Sequence, residues 1–269
     1  MLEKINETTE FLKAKGFVSP DAGIVLGTGL GGLTANMENC IEIDYKDIPN
    51  FPVSTVEGHA GKLIFGDFGR KKIVAMKGRF HYYEGYGPEQ VALPIRVLKY
   101  LGIKCLFLSN AAGGVNPAFR IGDIMIITDH INLLPNPLIG QNDDRIGARF
   151  PDMGEAYDKY LIKKALIIAQ DHKIRVHKGV YLSTSGPTFE TPSEYKYFRI
   201  IGADAVGMST TPEVIIARHM NLPVFAVSII TDLGVEGKIA YTTHQSVLDE
   251  AAKTEERMTA IMTDMISAL

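Results

Sequence analysis

The chain has 269 residues, of which 46% are hydrophobic and 22% are charged, and its formal net charge at pH 7 is -3. This is the composition of an ordinary globular protein, and the length suits one large α/β domain or two small ones. The net negative charge and the absence of any run of like charges argue against a nucleic-acid scaffold, which would carry a basic stripe.

The two cysteines, Cys40 and Cys105, are far apart and fit a reducing compartment. No segment approaches the roughly 20 apolar residues of a membrane-spanning helix. The N-terminal segment lacks the apolar stretch of a signal peptide. These features predict a cytoplasmic protein with neither a membrane nor a nucleic acid as its partner.

In chain order, an amphipathic N-terminal helix precedes Val- and Ile-rich runs that alternate with helical segments. The predicted strands are 22–27, 40–45, a hairpin within 62–79, 105–110, 123–131, 176–186, 204–209 and 223–232. The predicted helices run from Pro88 to Tyr100 with a kink at Pro94, from the capping box at Thr191, from the Ser209–Glu213 segment, and from about Ser246 onward. No linker or repeat interrupts this pattern, so we predict a single domain over residues 1–269 with a mixed sheet and helices on both faces.

Polar groups follow several of the predicted strands at the point where each strand ends. In such sheets, ligands bind beyond the carboxyl ends of the strands. The sequence therefore predicts that a ligand site assembles from the segments 27–29, 79–81, 109–114, 208–209 and 231–232.

The segment Gly27–Gly32 has the pattern G-x-G-x-x-G and follows a predicted strand. This pattern could bind a dinucleotide, but only seven residues separate Gly32 from Cys40, too few for the crossover helix of that motif. A glycine turn that binds a single phosphate is favoured, and a tight turn without a ligand is the simpler alternative.

Five segments together closely resemble the trimeric purine nucleoside phosphorylase family: GTGLGGL (27–33), STVEGHAG (54–61), KGRFHYYEGY (77–86), SNAAGGVNPAFRIGDIMIITDHIN (109–132) and GPTFETPSEY with GADAVGMSTTPEVIIARH (within 186–219). The resemblance extends from about residue 20 to about residue 232. It implies a three-layer αβα sandwich around a mixed, partly barrel-like sheet, the nucleoside phosphorylase fold. It also implies a homotrimer that reversibly converts a purine nucleoside and phosphate to the free base and a pentose 1-phosphate, without a cofactor or metal.

Six positions match the phosphate site of that family. A phosphate dianion requires a bidentate cation, hydroxyl donors and free N–H groups, and this set supplies all three. The family usually has Ser where this chain has Thr, a change that keeps the hydroxyl. The predicted phosphate-binding residues are Thr28, His59, Arg79, His81, Ala111 and Ser209.

The resemblance also assigns residues to the nucleoside. Tyr83 and Met208 are expected against the ribose, His244 at the 5′-hydroxyl, and Phe150 in the site of a neighbouring subunit. The remaining positions expected to contact the nucleoside are Asn110, Phe189, Glu190, Thr231 and Asp232.

Two carboxyl groups predict different purine preferences. Glu190 can accept hydrogen bonds from N1–H and the 2-amino group of a 6-oxopurine, whereas adenine would leave it poorly paired. Family members that prefer 6-oxopurines have Asn at the position of Asp232, so Asp232 must stay protonated to donate to O6. That requires a pKa about three units above the reference value. We predict 6-oxopurine activity with some tolerance of adenosine, and catalytic roles for Asp232, His81 and Glu190.

Three alternatives remain. A 5′-methylthioadenosine or adenosine-preferring phosphorylase shares Asp232, but His244 argues against an apolar 5′-pocket. A nicotinamide-cofactor oxidoreductase depends on the glycine segment alone, and a non-catalytic nucleoside-binding protein would keep the pocket without the reaction. The seven histidines show no metal-site spacing, and His172 and His177 are expected on a solvated stretch.

Overall fold

The computed structural model describes residues 1–27, 31–53, 55 and 60–269. The α-helices are α1 (Leu2–Ala14), α2 (Pro88–Leu101), α3 (Lys159–Asp171), α4 (Pro192–Ile200), α5 (Thr211–His219) and α6 (His244–Ser267). The strands are β1 (Ala22–Leu26), β2 (Glu38–Asp44), β3 (Lys62–Phe68), β4 (Lys71–Lys77), β5 (Cys105–Gly114), β6 (Ile124–Asn132), β7 (Val176–Ser183), β8 (Ala205–Gly207) and β9 (Val224–Leu233).

The strands form one mixed sheet in the order β2-β3-β4-β1-β5-β8-β7-β6-β9. Because β9 also pairs with β5, the strands β5, β8, β7, β6 and β9 close into a barrel, and β2, β3, β4 and β1 extend from it. Helix α2 packs against both α1 and α5, while α3 and α6 pack together and contact β9. The predicted mixed, partly barrel-like α/β architecture is confirmed.

Strand β5 lies at the centre of the fold, since it pairs with β1, β8 and β9. Leu106, Phe107 and Leu108 in its first half are fully buried, and the Phe107 ring lies 5.8 Å from the ring of Phe225. A continuous apolar run is typical of a strand that is covered on both faces. Each such side chain contributes about 1.5–3 kcal/mol by its removal from water.

The strand pairings determine where the site forms. Strand β1 is parallel to β4 and β5, and β5 is parallel to β9, so these four strands end at the same edge of the sheet. The chain at this edge is closely packed: a Cβ on Gly27 would lie 2.6 Å from the carbonyl oxygen of Ser109. Glycine is therefore required at the end of β1 for steric reasons, whether or not a ligand binds there.

Several local predictions are confirmed. Strands β3 and β4 pair as an antiparallel hairpin. The Thr191 hydroxyl accepts a hydrogen bond from the Glu194 N–H, and the Glu194 carboxylate accepts one from the Thr191 N–H, which completes the predicted capping box. Beyond the glycine segment, a short 3-10 helix (Gly31–Asn36) leads directly to β2, which is antiparallel to β3. This connection is not the crossover of a dinucleotide-binding fold.

Other local predictions need correction. Helix α3 was not predicted, although Asp158 caps it by accepting from the Leu161 N–H at 2.9 Å. The expectation that His177 lies on a solvated stretch is wrong: it lies on β7, half-buried, with Nε2 2.9 Å from an oxygen of Asp123. Among the described residues, no helix combines the length and apolar character needed to cross a membrane.

Candidate active site

A cavity of about 430 Å³ opens where the carboxyl ends of β4, β1, β5 and β9 meet. It brings together most of the residues predicted for the site, although they are distributed over more than 160 positions of the chain. The predicted residues that line it are Arg79, His81, Tyr83, Asn110, Ala111, Phe189, Glu190, Met208, Ser209, Thr231, Asp232 and His244.

Three predicted residues are not part of this described lining. Thr28 and His59, both expected to bind phosphate, lie outside the described residues. Phe150 does not line the cavity; its side chain is 88% exposed, and its ring lies 5.7 Å from the guanidinium of Arg149. Its assignment to a neighbouring subunit's site stays a prediction.

Arg79 follows β4 and is only 2% exposed, although it carries a full positive charge. Its Nε lies 3.2 Å from Oε1 of Glu213, which is also buried. Its Nη1 donates to the hydroxyl of Ser209 at 2.9 Å and to that of Thr210 at 3.2 Å. A buried guanidinium with a carboxylate on one edge and hydroxyls on another keeps a fixed position, as expected of an anion-binding group.

Thr210 has an unusual backbone conformation at the start of α5. Its φ of 69° and ψ of -54° are those of a γ-turn, and the Thr211 N–H donates to the Ser209 carbonyl at 2.8 Å across it. A β-branched residue with positive φ is a genuine outlier. The Thr210 hydroxyl does not cap the helix but accepts from Arg79 and, at 2.9 Å, from Nδ2 of Asn110. This strained turn therefore brings Ser209 and Thr210 to the guanidinium.

His81 is oriented by Glu84, which sequence reasoning missed. The Glu84 carboxylate accepts from the His81 backbone N–H at 2.8 Å and lies 3.1 Å from its Nδ1. Burial opposes ionisation of Glu84, but hydrogen bonds from His81 and Thr55 outweigh it and lower the Glu84 pKa to about 2. Because an ionised carboxylate only accepts, Nδ1 must carry the proton, so any proton exchange by the ring takes place at Nε2. The spacing of three residues in HYYE could have revealed this pair.

The His81 ring also stacks on Tyr83, with centroids 4.6 Å apart and an angle of 14° between the planes. Burial lowers the pKa of His81, and the nearby charge of Arg79 lowers it further, while Glu84 opposes the shift. The imidazole is therefore disposed to be neutral until an anion arrives beside it.

Glu190 and Asp232 form the acidic part of the cavity. Burial raises the Asp232 pKa, although hydrogen bonds from Thr231, at 3.0 Å, and Tyr195 oppose the shift. Burial also raises the Glu190 pKa, and the charge of Asp232 raises it further. The position of Asp232 depends on Gly113, because a Cβ there would lie 2.8 Å from Oδ2 of Asp232. The described residues include no cluster of three or more potential metal ligands.

The buried ion pair yields a prediction about stability. Glu213→Gln should lower the free energy of unfolding by about 3 kcal/mol, because it removes the carboxylate charge beside a buried guanidinium. Urea unfolding at fixed protein concentration measures this loss, and added sulfate should stabilise the variant more than the unmodified protein. Glu256→Gln, at an exposed position of α6, is the matched control. Equal unfolding midpoints for Glu213→Gln and the control would contradict this account of Arg79.

The chain is similar to known proteins over nearly its whole length. A family model described as the phosphorylase superfamily matches residues 21–267. Purine nucleoside phosphorylase 1 of Geobacillus stearothermophilus is 50% identical over 252 residues, which cover 93% of this chain and 92% of the relative. The purine nucleoside phosphorylase of Rattus norvegicus is 45% identical over an alignment of 275 positions, gaps included, which covers 98% of this chain and 95% of the relative.

Solved structures show the same similarity. Schistosoma mansoni purine nucleoside phosphorylase in complex with adenosine has a TM-score of 0.94 and 42% identity, with 99% of this chain and 97% of that chain covered. A schistosoma purine nucleoside phosphorylase in complex with hypoxanthine gives the same values. The chain therefore belongs to the phosphorylase superfamily, among the purine nucleoside phosphorylases.

Proposed function

We propose that this phosphorylase acts on 6-oxopurine nucleosides, inosine and guanosine, with some tolerance of adenosine. The products are the free purine and ribose 1-phosphate or 2-deoxyribose 1-phosphate, and the reaction is reversible. The observation that carries the proposal is the composition of one cavity, which joins a buried Arg79 and hydroxyl cluster to two carboxyls, Glu190 and Asp232. Relatives with adenosine and with hypoxanthine bound support a pocket that accommodates both kinds of purine.

Phosphate binds at the cationic part of the cavity. Arg79 supplies the positive charge, and the Ser209 hydroxyl lies 2.9 Å from its Nη1, so both can donate to one anion. Ser209 also precedes the N-terminus of α5, where unpaired amides and the helix dipole favour negative charge. Ala111, Thr28 and His59 complete the phosphate contacts in this proposal, and His81 exchanges a proton with the anion through Nε2.

The purine binds at the acidic part. Ionised Glu190 accepts from N1–H and, in guanine, from the 2-amino group. Protonated Asp232 donates to O6, a role for which the rise of its pKa on burial prepares it. Asn110, Phe189 and Thr231 line the same space, while Tyr83, Met208 and His244 contact the pentose.

In the reaction, a phosphate oxygen forms a bond to C1′ as the bond between C1′ and N9 breaks. The electron pair of the broken bond moves into the purine, which takes up a proton from solvent at N7. The carboxyl oxygen of Asp232 that carries no proton then accepts a hydrogen bond from N7–H. The pentose carries positive charge in the transition state, which the bound phosphate stabilises because it is held close by fixed groups. Inorganic phosphate is a co-substrate in this scheme, and no cofactor or metal is required.

A 5′-methylthioadenosine phosphorylase is the second candidate, because Asp232 could accept from a 6-amino group. The presence of His244 in the cavity favours a substrate with a 5′-hydroxyl over one with an apolar 5′-group.

The exposed Phe150 supports a homotrimer in which this ring completes the neighbouring site, since an 88% exposed aromatic ring gains burial by such a contact. The protein is placed in the cytoplasm in this proposal.

The role of Arg79 is testable by activity. Arg79→Ala should lower kcat/KM for phosphate-dependent release of hypoxanthine from inosine by roughly 100- to 1,000-fold, as for loss of one fixed transition-state donor. Arg70→Ala, at the exposed turn of the β3–β4 hairpin, is the control and should keep full activity. Full activity of Arg79→Ala would refute the phosphate site. A separate result, a strong preference of the unmodified protein for adenosine over inosine at every pH, would refute the proposed base preference.

The contribution of Phe150 is testable by mixing variants. Arg79→Ala and Phe150→Ala should each be weak alone, because each lacks one part of every site. Subunits mixed under exchange conditions should recover activity, since some interfaces then combine an intact Arg79 with an intact Phe150. Light scattering on the same samples measures the oligomeric state. No recovery despite demonstrated subunit exchange would show that Phe150 serves its own subunit or none.

A further inference from the structure

Tyr195 lies between the two carboxyls of the cavity, although nothing in the sequence motifs assigns it a role. It is in the first turns of α4 and only 3% exposed. Its hydroxyl donates to Oδ2 of Asp232 at 3.4 Å, and the Glu190 carboxyl is close enough to act on the phenol as a second acceptor. At 3.4 Å this contact is longer than an ordinary O–H···O bond, so it holds the hydroxyl only weakly on Asp232.

The phenol is held in place by packing. A Cβ on Gly234 would overlap the ring of Tyr195, so the ring fills the space that a side chain at position 234 would occupy. Tyr195 also packs in a buried cluster with Leu182 and Phe198. Because the ring cannot move far, its hydroxyl stays between Glu190 and Asp232.

The charges around this hydroxyl favour a single proton on the carboxyl pair. Burial raises the pKa of Glu190 and of Asp232, and their mutual repulsion disfavours two negative charges. Glu194, in the first turn of α4, adds negative charge near Glu190, and His244 of α6 lines the same cavity. Two carboxyls so coupled lose their protons in separate steps that belong to the pair.

We propose that Glu190 and Asp232 share one proton, which passes between them through the Tyr195 hydroxyl, and that its position selects the class of purine. In one direction, Asp232 gives its proton to the Tyr195 oxygen while Tyr195 gives its own proton to Glu190. The phenol ends neutral, and the pair keeps its single negative charge. This inference depends on the proposed function, because it explains how the same site serves inosine and adenosine.

The two positions of the proton complement different bases. With the proton on Asp232, Glu190 accepts from N1–H and Asp232 donates to O6, the pattern of a 6-oxopurine. With the proton on Glu190, Glu190 donates to N1 of adenine and Asp232 accepts from the 6-amino group. Neither base leaves a buried polar group unpaired, so the usual penalty against the wrong purine is reduced.

A pH profile tests the shared proton. The two forms contain the same number of protons, so the ratio of kcat/KM for adenosine to that for inosine should not change with pH over the range in which the pair holds one proton. The kcat/KM values for adenosine and for inosine should fall in parallel at high pH, where the carboxyl pair loses its proton. If Asp232 titrated independently of Glu190, the ratio would instead rise about tenfold per pH unit. Such a rise would overturn the inference.

Two variants and a control sharpen this test. In Asp232→Asn, adenosine requires protonated Glu190 and inosine requires ionised Glu190, so the ratio should fall about tenfold per pH unit. Tyr195→Phe keeps the ring and should lower kcat/KM for both nucleosides by about tenfold and narrow the pH range of activity. Tyr197→Phe, at an exposed position of the same helix, should match the unmodified protein.

The outcomes distinguish this inference from the proposed function. A Tyr195→Phe profile as wide as that of the unmodified protein would show that the hydroxyl carries no shared proton. If Tyr195→Phe lowered kcat/KM for adenosine and inosine equally but left the pH range of activity unchanged, the hydroxyl would have a packing role only, which would also overturn the inference. If no purine is released in a phosphate-dependent manner from either nucleoside, the proposed function itself is wrong.

Discussion

The site depends on one buried charge. Arg79 lies at the end of β4 with almost no exposure, and a guanidinium in such a place is tolerated only when anions and acceptors surround it. Glu213 supplies the carboxylate, and the γ-turn at Thr210 supplies hydroxyls that a regular helix start would direct elsewhere. Glu213 and the strained turn at Thr210 both contact Arg79, so the first turn of α5 is organised around the guanidinium.

The rest of the cavity extends this principle to the nucleoside. Glu84 fixes the tautomer of His81, and Tyr195 and Thr231 fix the carboxyl of Asp232. Arg79, His81 and Asp232 are thus each held by a second polar group. Fixed dipoles and charges of this kind need no reorganisation when charge develops in a transition state. The cavity therefore holds a cation, Arg79, and two carboxyl groups, Glu190 and Asp232, in separate fixed positions.

Much of this arrangement is predictable from the sequence, for identifiable reasons. Strand ends, the Thr191 capping box and the β3–β4 hairpin are encoded locally, and the family motifs place Arg79, Ser209 and Asp232 in one site. The supporting residues Glu213, Thr210 and Tyr195 were missed because their partners are distant in the chain, at positions 79, 110 and 232. Neither composition nor periodicity reports such tertiary contacts. The role proposed for Phe150 requires a second subunit, which a single chain does not contain.

The account requires that segments from distant parts of the chain bind one phosphate beside one purine. A crystal structure with phosphate and a nucleoside analogue that cannot be cleaved tests this directly. The account predicts the phosphate within hydrogen-bond distance of Arg79, His81 and Ser209, with the purine between Glu190 and Asp232. Phosphate bound elsewhere, with Arg79 still paired only to Glu213 and its neighbours, would contradict it.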